Sequence, residues 1–224
     1  MNLKEDLPDA HTHLHVTSPV WKIKVLTGND LLLLEEPAPD IPFTVGLLPE
    51  DLQFSNLNLL WNKLEYFSQL DNCRGIGECG FDRRYSNPEL QLFWVEKHIT
   101  LAEKTHKPLT WHIVGKWASY LNISGHYPTH MPWLLHGYQG SVSLAKQLLP
   151  TECWFSFGAA LLSNPNAQAS FQFIPIEKIL LETDADSALN LDTLYQKAAK
   201  LKNLTLEEFI DQIRINFKTL FDQR

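Results

Sequence analysis

Short apolar runs alternate along this chain with longer stretches of helical period, and that alternation restricts it to an α/β fold. The runs WKIKVL (21–26), FTVGL (43–47), RGIGE (74–78), LTWHIV (109–114), WLLHG (133–137), CWFSFG (153–158) and KILLETD (178–184) read as strands, after a first short strand leading into DAHTH (9–13). Between them, Leu57, Leu60, Trp61, Leu64 and Phe67 mark one helical face over 55–70. Residues 88–106 form the clearest helix, opened by Pro88 and stopped by Pro108. Residues 205–221 close the chain as an amphipathic helix with Thr205 as N-cap and Glu207 and Glu208 in its first turn.

Strands separated by helices predict βαβ units around a parallel sheet, here a TIM-like (β/α) barrel in one domain, 1–224. At 224 residues the chain is short for eight full units. Between 13 and 21 there is room for a loop or a single turn, while a parallel crossover usually takes a dozen residues or more. The barrel is therefore expected to be abbreviated after the first strand. Residues 30–42, acidic and proline-bearing, predict an irregular segment, and 14–42 as a whole an irregular and mobile one.

Histidines and acids stand where these strands end. Glu78, His112, His136 and Asp184 close four strand candidates, and His11 and His13 follow the first. In a parallel barrel such ends face one mouth, where active sites are built. Alternate residues of an extended strand share a face, so the two imidazoles of the His-x-His pair converge. Imidazoles and carboxylates without a thiolate suit zinc, manganese, nickel, iron or magnesium.

Taken singly, each residue has a plainer reading. His-x-His can be a polar loop. Glu78 can be an acid satisfied by Arg74 or Arg83, His112 and His136 hydrogen-bonded core histidines, and Asp184 a helix N-cap. Their joint order favours a metal centre. His15 reads as a substrate or surface group. Asp82 and Arg83 read as either a loop ion pair or a substrate contact.

A formal charge of −7 argues against undirected binding to nucleic acid, although bound divalent metals would supply local positive charge. Cys73, Cys79 and Cys153 lack paired spacing and read as unbridged, mostly buried thiols. The N-terminus has no apolar signal-peptide core, and no run of 18 apolar residues appears, so a cytoplasmic protein without a membrane span is expected. There is no GxSxG elbow, Walker loop or GxGxxG. The seven tryptophans could stack bases, but lining a core is the default.

The blocks together resemble the TatD family of metal-dependent hydrolases, part of the amidohydrolase superfamily. DAHTH (9–13) is similar to the family's DxHxH, and GIGECGFD (75–82) to its GxGExGLD segment. PLTWH (108–112) resembles the strand of the third histidine, HGYQGS (136–141) the HxFxGS block, LLETDAD (180–186) the ETD signature, and NFKTLF (216–221) the closing NxxxLF. The resemblance implies a TIM barrel with one or two divalent ions (Mg, Mn or Zn). His11, His13 and Asp184 would hold one, His112 and His136 the other, and Glu78 would bridge them. It implies an activated water, with Asp184 or Glu78 taking its proton, and deoxyribonuclease activity on single-stranded DNA. This sequence departs from the pattern at Leu48, where the family tends to have histidine, at Val114, often arginine, at Tyr138, usually phenylalanine, and at Asp186, usually proline. A small phosphoester, ester or amide is thus the alternative substrate, and a non-catalytic metal-binding relative a third reading.

Overall fold

The computed structural model describes residues 7–16, 21–35, 41–127 and 130–222. Among the described residues, eight strands run in the order of the sequence: β1 (Asp9–Thr12), β2 (Lys22–Leu26), β3 (Phe43–Val45), β4 (Cys73–Asp82), β5 (Leu109–Val114), β6 (Trp133–Leu135), β7 (Trp154–Phe157) and β8 (Ile179–Leu181). The paired strands β1/β2, β3/β4, β4/β5 and β7/β8 are parallel. A parallel bridge between Thr12 and Asp184 brings the chain just past β8 back to β1. This is the (β/α) barrel order expected from the alternation.

By its own contacts the chain divides into two compact units, one of residues 1–24 and 135–224, the other of residues 25–134. The second unit holds α1 (Gly28–Leu33), α2 (Leu57–Ser68), α3 (Pro88–Thr105) and α4 (Trp117–His126) around β3 to β5. The first holds α5 (Val142–Leu148), α6 (Ala160–Ser163), α7 (Pro165–Phe173), α8 (Leu191–Lys202) and α9 (Leu206–Phe221) with β1, β7 and β8.

Local chemistry sets these boundaries. Asn87 accepts the Leu90 amide to cap α3, whose first residue is Pro88, and the chain leaves the helix through left-handed His106. In α9 a capping box joins Thr205 and Glu208, and Phe209, Ile210, Ile213, Phe217 and Leu220 bury one face. The ten residues of β4 are buried except Arg74, as befits a parallel strand covered on both sides.

No helix stands between β1 and β2 among the described residues, in keeping with the abbreviation. The irregular reading of 30–42 needs correction at its start. Thr27 and Asp30 form a capping box that starts α1, so the acid marks a helix N-terminus. Residues 36–40 of that segment lie outside the described residues. Five of the seven tryptophans (Trp61, Trp94, Trp111, Trp133 and Trp154) are buried, and Trp111 packs with Tyr120 and Trp133 at ring separations of 5.1 and 4.8 Å, so the core reading holds for them. All three cysteines are buried, and none forms a disulfide. Among the described residues no helix is long and apolar enough to cross a membrane.

Candidate metal centre

In the first unit, β1 presents His11, which is buried, and the chain just beyond it presents His13, with ring centroids 5.3 Å apart. Asp184 meets them from three residues past β8. Its backbone is left-handed (φ +53°) and pinned on both sides: its amide donates to the His11 carbonyl and its carbonyl accepts the His13 amide, each at 2.9 Å. Aspartate tolerates this conformation better than most residues. The result aims Oδ1 at both imidazoles, 3.7 Å from His11 Nε2 and 3.6 Å from His13 Nε2.

His136, directly after β6, stacks on His11 at 4.2 Å. The donor atoms of His11, His136 and Asp184 all lie within 4.8 Å of one another. Two ligands each about 2.1 Å from a tetrahedral ion stand about 3.4 Å apart. The nitrogen and oxygen donors here therefore fit a divalent metal in both chemistry and spacing.

Two buried acids support this set without belonging to it. Asp9 accepts the Thr183 amide at 2.9 Å and its hydroxyl at 2.8 Å, tying β1 to the residue before Asp184. Burial pushes the Asp9 carboxyl up to about 6. Glu182 accepts the Gly137 amide at 2.7 Å and the Ser156 hydroxyl, and it faces His136 Nδ1 at 3.5 Å. Burial alone would raise its carboxyl, but the contacts with His136, His11 and Ser156 outweigh this and hold it below the usual range. A carboxylate on Nδ1 fixes the orientation of a metal-ligating imidazole. Sequence reasoning missed both acids as site residues, although Asp9 opens the DAHTH block and Glu182 opens the ETD block.

In the second unit, Glu78 lies in the middle of β4, which runs on to Asp82; the expected strand end at 78 is thus corrected. Glu78 is buried, with Oε1 3.9 Å from His112 Nδ1. On the other side of that ring, Nε2 is 3.3 Å from Asp82 Oδ2. His112 thus has a carboxylate at each nitrogen. Gly80 makes this approach feasible. A Cβ there would come within 1.9 Å of the His112 carbonyl, at a φ of +155°.

The ion pair of Asp82 is with Arg84, not Arg83. Asp82 accepts the Arg84 amide at 2.8 Å and its Nε at 2.8 and 3.0 Å, and it also meets Nη2. Burial works against the Asp82 charge, but these bonds and His112 hold its carboxyl below the ordinary range. Arg83 instead pairs its amide with the Val114 carbonyl at 3.1 Å, and its side chain crosses Gly115. His15 is exposed, as expected of a surface group, and borders a cavity of about 340 Å³ with Asp9, Lys22 and Thr183.

Parallel strands carrying imidazoles and carboxylates at metal-ligand spacing make an α/β scaffold suited to a metal ion. The chain belongs to the TatD related DNase family, which matches residues 9–222. It is 27% identical over 220 residues to an uncharacterized metal-dependent hydrolase of Buchnera aphidicola, covering 90% of this chain and 78% of that one. To the 3'-5' ssDNA/RNA exonuclease TatD of Edwardsiella piscicida it is 26% identical over 181 residues, 75% of this chain and 69% of the other. Among solved structures, the TatD homologue YJJV of Escherichia coli K12 superposes with a TM-score of 0.80 at 16% identity, over 99% of this chain and 100% of that one. A TatD family hydrolase of Entamoeba histolytica gives 0.76 at 15% identity, covering 97% and 98%. These likenesses show the fold, and the family makes the chain a metal-dependent hydrolase.

Proposed function

We propose that this chain is a divalent-metal-dependent phosphodiesterase that degrades single-stranded DNA, working as one domain over its 224 residues and residing in the cytoplasm. His11, His13, His136 and Asp184, with Glu78 and His112 of the second unit, are its ligands for one or two ions of Mg, Mn or Zn. The observation that carries this reading is the convergence of His11, His136 and Asp184 donor atoms within 4.8 Å. When bound, such an ion lowers the pKa of water and offsets charge on a phosphoryl group. Asp184 or Glu78 takes the water's proton. Asp184 suits that task because its side chain is 46% exposed, whereas Glu78 is buried. Glu182 and Asp82 orient the rings of His136 and His112.

The strand substrate is supported by Arg83 and Arg84. They are adjacent to the end of β5 where Val114 stands in place of an arginine, and both side chains are exposed. A second reading, a small phosphoester, ester or amide, is favoured by Leu48, which is buried and apolar where the family tends to carry a histidine.

Metal content and hydrolysis measured together test the proposal, on protein stripped of metal and then reloaded with Mg, Mn or Zn. Uptake of one or two ions with degradation of a single-stranded DNA end is expected, and Glu78→Ala should lose one ion and nearly all turnover while remaining folded. Metal uptake with hydrolysis of small esters only would favour the second reading. Failure to retain metal would point to a non-catalytic relative.

A further inference from the structure

Beside the end of β4, one arginine is held in a single orientation by an acid that is itself buried. Asp82 is 0% exposed, and it engages the amide, the Nε and one Nη of Arg84. The Arg84 side chain is nevertheless 60% exposed. With Nε–H and one Nη2 hydrogen taken by Asp82, the other Nη2 hydrogen and both on Nη1 point away from the carboxylate. An isolated surface ion pair is worth little and fixes little. Here several hydrogen bonds converge on an acid that lies 3.3 Å from the imidazole of His112. The guanidinium is therefore fixed relative to a candidate metal ligand.

Arg84 borders a cavity of about 300 Å³, lined also by Leu52, Gln53, Tyr85, Ser86 and Asn87. That volume is at the small end of ligand sites. The Tyr85 ring is steadied by its hydroxyl, which donates to Glu50 at 2.9 Å. A planar fork of donors beside an aromatic ring suits an anion with two acceptor oxygens next to a flat group, which is the pattern of a nucleotide.

We propose that Arg84 recognises a phosphate of the substrate strand, with the attached nucleoside lodged in the cavity beside Tyr85. This rests on the phosphodiesterase reading above and narrows its substrate to a strand with more than one phosphate. Arg84 is then a specificity residue, positioned by Asp82.

The test is binding of a short fluorescent single-stranded oligodeoxynucleotide by anisotropy, over a range of salt, to the full chain and to Arg84→Gln and Arg84→Lys. Each phosphate neutralised on a single strand contributes about 0.7 to the slope of log affinity against log salt. Arg84→Gln should weaken binding about tenfold and lower the slope by about 0.7, while Arg84→Lys keeps the slope. A merely structural role for Arg84 would leave the slope of the glutamine variant unchanged, and that result, or no binding by the unaltered protein, would overturn the proposal. Hydrolysis of bis(p-nitrophenyl) phosphate by the unaltered, metal-loaded protein reports separately on the phosphodiesterase reading, since that diester carries one phosphate and no strand.

Discussion

The carbonyl of Asp184 accepts the amide of His13 at 2.9 Å, while its carboxylate stands 3.6 Å from the same residue's Nε2. One residue thus sets both the backbone path of its neighbour and the distance between two donor groups. Asp184→Asn separates these roles, because asparagine also accepts the left-handed conformation. The variant should keep its melting temperature within a few degrees yet lose about 10²- to 10⁴-fold in kcat, the usual range for losing a positioned acid or base. Thermal unfolding beside steady-state hydrolysis checks both halves, and undiminished kcat would remove Asp184 from the chemistry.

Glu182 touches His136 through Nδ1 and also holds the Gly137 amide and the Ser156 hydroxyl. Glu182→Gln keeps the shape but drops the charge that stabilises the ring's orientation. Metal affinity should fall about 10- to 100-fold, as is typical when such an outer partner is lost. Competition titration against a chelating dye measures it. An unchanged affinity would mean that Ser156 and Gly137 are the real purpose of this acid.

His98 predicts a pH dependence unrelated to catalysis. It is fully buried in α3, with Nδ1 2.7 Å from the Trp94 carbonyl and Nε2 accepting the Leu47 amide at 3.0 Å. Burial, aided by Lys97, lowers its pKa from 6.5 to about 4. The unfolded chain takes up a proton below 6.5 that the folded chain refuses until about 4. The stability due to neutral His98 is therefore complete above 6.5 and lost as pH falls towards 4, about 3 kcal/mol in all. In urea unfolding, the stability advantage of the natural protein over His98→Gln should be about 2 kcal/mol smaller at about pH 5 than at about pH 7.5. A gap that does not change with pH would contradict the assignment.

Gly80→Ala should destabilise the protein by about 3 kcal/mol or more, through positive-φ strain and overlap with the His112 carbonyl. The same variant displaces His112 from Glu78 and Asp82, so metal uptake in the second unit should fall with it. Denaturant midpoints and metal titration together check this, and a neutral substitution would show that β4 and β5 can separate at little cost.

Strands β5, β6 and β8 were legible because each is a short apolar run beside an acid or a histidine, whereas β1 takes in Asp9–Thr12 itself, which was read as following the strand, and β4 runs on past Glu78 to Asp82. LTWHIV became β5 without a change of boundary, and the final helix began where its cap stood. Less was legible where the signals were weak or compound. Helix α4, WASYLNISGH, has no charged side chain apart from its closing histidine, so no polar stripe marks its period. The acid of α1 read as irregularity because its partner threonine lay three residues earlier. Arg83 was read as the possible ion-pair partner of Asp82, and that Arg84 takes this place depends on how the chain turns after β4. Asp9 and Glu182 lay inside recognised blocks, but their role depends on partners distant in the chain or across the fold.

The bonds between Asp9 and Thr183 join residues 174 positions apart. β1 is held on two sides, by its pairing with β2 and by the segment after β8. During synthesis, His11 and His13 emerge long before the acid that stands against them. Until Thr183 and Asp184 have been added, that strand can pair with β2 alone, and the candidate donor set of the first unit closes only as nearly the last act of folding.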